Sequence, residues 1–163
     1  MNESPITRRS ALKLAGAAGA LGMAGLPIEA LASDPEDAKK LFIGMDLHAV
    51  GPEATTGTMV IGGVFADAGT SNAQPRVTPK PNSDRGRLEG DQQFIGQKGT
   101  LFTHFEGVAI PFGSPRAVGL GRVTIVSGTG DYANVHGKGS FLIVVDFITN
   151  QLIGTETITI EGT

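Results

Sequence analysis

From Leu41 to Leu47 every odd residue is apolar, with Leu41, Ile43, Met45 and Leu47 on one side of an extended chain and Phe42, Gly44 and Asp46 on the other. Alternation of period two marks a half-buried strand, because successive side chains leave an extended backbone on opposite faces. The pattern recurs. Thr58 to Ala66 puts Met59, Ile61 and Phe65 against Val60 and Val64, with Gly62-Gly63 in its middle, where paired glycines suggest a bulge or a barrel corner. A weaker strand is expected over Arg87 to Ile95. Four further runs follow: Gly99 to Ile110, Val118 to Val126, Gly139 to Ile148 and Leu152 to Ile160. Each is rich in Val, Ile, Phe and Thr and is bounded by Gly, Pro or Asn, and Asn150-Gln151 reads as the tip of a hairpin. With no helical period beyond the leader, the chain is expected to be all-β, an antiparallel barrel or sandwich.

Between Asp67 and Gly90 the pattern lapses. Asn, Ser, Asp, Gly and the prolines Pro75, Pro79 and Pro81 replace the hydrophobic residues, so residues 67–90 are expected to form a long loop.

The N-terminus has a different character. Thr7-Arg8-Arg9-Ser10-Ala11-Leu12-Lys13 precedes an uncharged Ala/Gly-rich stretch to Pro27, and Ala30-Leu31-Ala32 follows as a small-x-small cleavage site. Basic, apolar and small segments in that order are a secretory leader, and the paired Arg8 and Arg9 with modest hydrophobicity behind them match the twin-arginine pattern. Four glycines within Gly16 to Gly25 each cost about 1 kcal/mol in a helix interior, and a membrane span needs about 20 strongly apolar residues. The sequence therefore predicts a signal peptide over residues 1–32, read by the twin-arginine export machinery, with cleavage after Ala32. A single domain over residues 33–163 is expected to work in the periplasm or outside the cell, without a stable membrane anchor.

Without its leader the chain carries 10 basic and 14 acidic residues. Such a balance disfavours a phosphate-binding surface, and no nucleic-acid partner is expected. With no cysteine, stability must come from packing and strand pairing, and thiolate metal sites and cysteine nucleophiles are excluded. The three histidines have no paired spacing and there is no Gly-x-Ser-x-Gly elbow, so neither a metal, a cofactor nor serine hydrolysis is predicted.

The densest local signature is Gly128-Thr129-Gly130-Asp131-Tyr132-Ala133-Asn134-Val135-His136-Gly137. Its glycines lead into a strand and not a helix, which argues against a phosphate loop. They suit tight connections, and Tyr132 is expected to pack its ring over a barrel end while its hydroxyl ties down the loop. With its flanking strands this segment resembles the allene oxide cyclase and dirigent superfamily, over roughly Gly99 to Gly162. The resemblance implies a calycin-like barrel of about eight strands whose interior takes a small apolar ligand, or in which an apolar substrate is cyclised or isomerised without a cofactor.

Several polar residues share a strand face with apolar ones. Glu156 alternates with Leu152, Gly154, Ile158 and Ile160; Asp146 falls with Leu142, Val144 and Ile148; His104 and Glu106 fall with Phe102 and Val108. A carboxylate among apolar neighbours has a raised pKa and can act as a general acid or base. Glu156, Glu106, Asp146 and His104 are thus the candidate catalytic residues, and Tyr132, Phe102 and Glu156 the candidate ligand contacts. A homo-oligomer built from strand faces is a third expectation.

Overall fold

The computed structural model describes residues 39–113 and 115–161. The expected leader, with Arg8, Arg9 and Ala32, lies outside the described residues. Eight antiparallel strands form one closed barrel in simple chain order: β1 Lys40–Gly51, β2 Ala54–Gly63, β3 Asp67–Pro79, β4 Gly86–Gly96, β5 Thr100–Pro111, β6 Arg116–Gly128, β7 Gly137–Asp146 and β8 Gln151–Ile160. The last strand closes on the first, pairing Leu41 with Ile158, Ile43 with Glu156 and Met45 with Gly154. Closure gives every strand a neighbour on both sides.

An eight-stranded barrel is just wide enough for its inward side chains to fill it. Those side chains are the apolar halves of the sequence alternations: Leu41, Ile43, Met45 and Leu47 from β1, Met59 and Ile61 from β2, Leu88 and Phe94 from β4, Leu101 and Phe105 from β5, Val123 and Ile125 from β6, Phe141 from β7, and Ile158 and Ile160 from β8. Phe105 and Phe141 meet edge to face at 5.6 Å between ring centres.

Residues 67–90 are not the long loop that their composition predicts. They form β3, a short turn and the start of β4, with an unbroken ladder from Gly69 opposite Gly96 to Pro79 opposite Gly86. The inward positions of β3 are Asp67, Ser71, Ala73 and Pro75, small or polar, so no apolar stripe betrays the strand. Its prolines are tolerated because the β2 ladder ends where Thr55 meets Ala73. Beyond that point one flank of β3 is a local edge, where a missing N–H breaks no sheet bond. Of the bulge or barrel corner expected at Gly62-Gly63, the bulge is absent: β1 and β2 stay in register there, and Gly63 ends β2 with φ +94°. The register shifts lie instead at Ala49/Gly51 and at Phe102/Thr103.

Candidate functional site

Strand direction divides the barrel into two ends. One carries the β2–β3, β4–β5 and β6–β7 connections, and it is sealed. In the β6–β7 connection the single-turn helix Gly130–Tyr132 starts at Gly130, whose φ of +59° suits a residue without a Cβ, and places Tyr132 completely out of solvent. The ring meets Phe65 edge to face at 5.2 Å. Its hydroxyl donates to Asp67 Oδ2 at 2.9 Å. The same carboxylate accepts the backbone N–H groups of Ala68 at 2.8 Å and Gln97 at 3.0 Å on Oδ1, and of Lys98 at 3.1 Å on Oδ2. Gly96 leaves room for it, since a Cβ there would collide with the Asp67 carboxylate. Burial works against the charge, but the bonds from Lys98, Tyr132, Ala68 and Gln97 outweigh it and hold the Asp67 carboxyl below its ordinary pKa. Tyr132 behaves as its sequence context predicts, and its site is structural: burial, the Asp67 bond and the nearby charges of Asp67 and Asp131 push its phenol up, out of any catalytic range.

The other half of the interior holds a small recess. Met45, Leu47, Thr55, Ala73, Pro75, Gln92, Phe105, Phe141, Ile143, Leu152, Gly154 and Glu156 surround a cavity toward the end bearing the β1–β2, β3–β4, β5–β6 and β7–β8 connections. The space open to the centre of a water molecule is about 30 Å³, and the whole recess, with the open water in its mouth, about 390 Å³. A single water needs about 10–15 Å³ by the same measure, so the inner part admits a narrow group and the mouth a wider one.

Three polar side chains line this recess, and two are already engaged. Thr55 Oγ1 donates to the Ala73 carbonyl at 3.5 Å; Gln92 Nε2 donates to Ser71 Oγ at 2.8 Å and reaches Met45 Sδ at 3.2 Å. Glu156 is different. It is 2% exposed, lies between Ile43 and Phe141 in the ladder, and its Oε2 has no hydrogen-bond partner. Burial alone pushes its carboxyl up to about 8, so it is mostly a neutral acid at neutral pH. Thr103 Oγ1, on the inward face of β5, is likewise buried and unpartnered.

The remaining candidates lie elsewhere. On β5 the inward positions are Leu101, Thr103 and Phe105, so Phe102, His104 and Glu106 stand on the outer wall, His104 and Glu106 exposed and Phe102 half-buried. A two-sided apolar strand conceals which face is inside, and here the odd face is. His104 Nδ1 pairs with Asp91 Oδ1 at 2.8 Å in an exposed polar groove with Glu53, Gln74, Arg76 and Glu89, where Arg76 also faces Glu53 at 3.7 Å. Asp146 sits at the rim where β7 ends. It accepts from the backbone N–H groups of Thr149 and Ile148 and from Arg116 Nε at 3.1 Å, contacts that lower its pKa and make it a turn cap. Of the candidates, only Glu156 reaches the cavity. Sequence reasoning missed Gln92 and Phe105, the first in a weakly marked strand and the second hidden by the face ambiguity of β5. Among the described residues no group of His, Asp and Glu is arranged to hold a metal, and no helix is long and apolar enough to cross a membrane. The sequence matches no known family model and no curated protein.

Proposed function

We propose that this barrel binds a slender, mainly apolar molecule in its interior, with the neutral Glu156 carboxyl as the single polar anchor. One observation carries the reading: a buried carboxyl with an unsatisfied oxygen, on the wall of a mainly apolar recess whose other polar side chains, Thr55 and Gln92, are already hydrogen-bonded. A buried polar atom without a partner costs about 1–3 kcal/mol, which a ligand hydroxyl or carbonyl at that depth would recover. The narrow inner volume favours an unbranched chain over a fused ring system. Export by the twin-arginine route, read from Arg8 and Arg9, puts this activity in the periplasm or outside the cell.

The experiment is a titration with unbranched alcohols of increasing length, followed by backbone NMR. 1-Octanol should saturate and move the amide signals of Met45, Gln92, Phe105 and Glu156, and Glu156→Gln should weaken it by about tenfold, the equivalent of one hydrogen bond. Absence of saturable binding by every alcohol tested defeats the proposal. Mature protein outside the cytoplasm after replacement of both Arg8 and Arg9 by lysine defeats the export part.

The raised pKa of Glu156 favours a second reading, an allene oxide cyclase-like isomerase in which the carboxyl shuttles a proton on a bound apolar substrate. Glu156→Gln separates the two. A binder loses affinity, whereas an isomerase keeps much of its affinity and loses turnover.

A further inference from the structure

The outer wall of the barrel has two unlike halves. On β1–β4 the outward positions are mostly polar, among them Asp46, His48, Thr58, Asn72, Arg76 and Glu89, with Phe42, Val60 and Ile95 between them. On β5–β8 they are apolar in two adjoining cross-strand rows. Val108, Leu120 and Leu142 line up with Thr155, and Ile110, Val118, Val144 and Ile153 form the next row. Leu120 and Val144 are each 41% exposed, Val108 and Ile153 each 37%. At the mouth end the apolar surface extends to Phe112 and Phe147, on neighbouring connections joined by the bond from Phe147 N–H to the Pro115 carbonyl. A contiguous apolar band with a polar border is the anatomy of an interaction surface, and scattered exposed residues do not produce it.

The border identifies the partner. On one side of the band the next row is Glu106, Arg122, Ser140 and Thr157; on the other it is Arg116, Asp146 and Gln151. Each border carries one base and one acid, and on the second Arg116 and Asp146 already pair with each other at 3.1 Å. An isologous interface must be complementary to itself, and a face whose charged rims each contain both signs meets that condition when turned over upon a copy. An anionic lipid surface would be matched by an excess of Lys and Arg, which neither border has.

We propose that the outer face of β5–β8 is a self-association surface, on which a second copy of this chain packs with Val118, Leu120, Leu142 and Val144 at the centre. Burying Leu120 and Val144 against their counterparts removes from water the two most exposed side chains of the band's rows. The cavity is untouched, since it lies inside the wall.

Sedimentation of the purified protein over about 1–100 μM, the range in which a micromolar interface reveals itself, provides the test. The average mass should rise with concentration toward a multiple of the monomer. Leu120→Glu and Val144→Lys should each hold it at the monomer, while Asn72→Glu on the opposite wall leaves association intact. Because Leu120 and Val144 are outward, both variants should keep the wild-type circular dichroism spectrum and melting profile. A monomer at every concentration overturns the proposal, as does association that Leu120→Glu leaves unchanged. Binding of wild-type monomer to phosphatidylcholine vesicles, abolished by Leu120→Glu, also overturns it and gives the face to lipid.

Discussion

Among the described residues two carboxylates are buried in this barrel, in opposite circumstances. Asp67 at the sealed end accepts from three backbone N–H groups and a tyrosine hydroxyl, and its pKa falls. Glu156, on the wall of the recess, has an oxygen with no hydrogen-bond partner, and its pKa rises to about 8. Both lose solvation. What separates them is the number of dipoles the fold aims at each. A carboxylate saturated by its own chain has no valence left for a ligand and can serve only as a fastening. One left unsatisfied weakens the fold it sits in, a sacrifice usually made at functional sites.

The sharpest way to break this comparison is to delete the fastening. Asp67→Ala takes the acceptor from three part-buried backbone donors and from the buried Tyr132 hydroxyl, and should lower unfolding free energy by about 3 kcal/mol or more in urea denaturation. Tyr132→Phe removes one neutral donor to a charged acceptor and should lose roughly 1.5–3 kcal/mol. A smaller loss for Asp67→Ala than for Tyr132→Phe means that the carboxylate is not the hub.

Next in size is the pH dependence contributed by Glu156. An unfolded glutamate ionises near 4.5 and the folded one near 8, so between these values the folded state holds a proton that the unfolded state has released. Stability from this group is intact below about 4.5, declines as pH rises through the interval, and levels off above about 8, for a total on the order of a few kcal/mol. Asp67 has the opposite sign: its folded pKa is depressed, so its contribution is present above its unfolded pKa and fades as pH falls below it. Subtracting the stability of Glu156→Gln from that of wild type at each pH isolates the first effect. A flat difference from pH 5 to 8 means that Glu156 is solvated or paired.

How much of this was legible in the sequence follows from where each partner lies. The inward face of β8 could be read directly, because Glu156 breaks an otherwise apolar alternation within ten residues. Tyr132 could be read from the glycines around it. Asp67 could not: its partners Gln97 and Tyr132 are 30 and 65 residues away, and only barrel closure brings them together. The same holds for β3. Its inward residues face the cavity and the Asp67 hub, so they lack the large apolar side chains by which a strand declares itself, and pairing with β4 overrides what composition suggests. On β5 both faces are apolar, the inner because it fills the barrel and the outer because it belongs to the band on β5–β8, so alternation alone left the orientation of His104 and Glu106 open.

The smallest expected effect sharpens the comparison from outside. His104 and Glu106 carry the same chemical types as a catalytic pair, yet they stand on the outer wall, where water solvates them and Asp91 already engages the imidazole. Exposed pairs of this kind contribute about 0–1 kcal/mol, and a side chain on the outer face of β5 points away from a molecule inside the barrel. His104→Ala and Glu106→Gln should therefore leave stability within about 0.5 kcal/mol of wild type and leave 1-octanol affinity unchanged, whereas Glu156→Gln alters both. The comparison holds only if the response divides by face and not by chemical type. A tenfold loss of alcohol binding in His104→Ala, with the fold intact by circular dichroism, moves the site to the outer groove beside Asp91 and returns Glu156 to the status of an unsatisfied core residue.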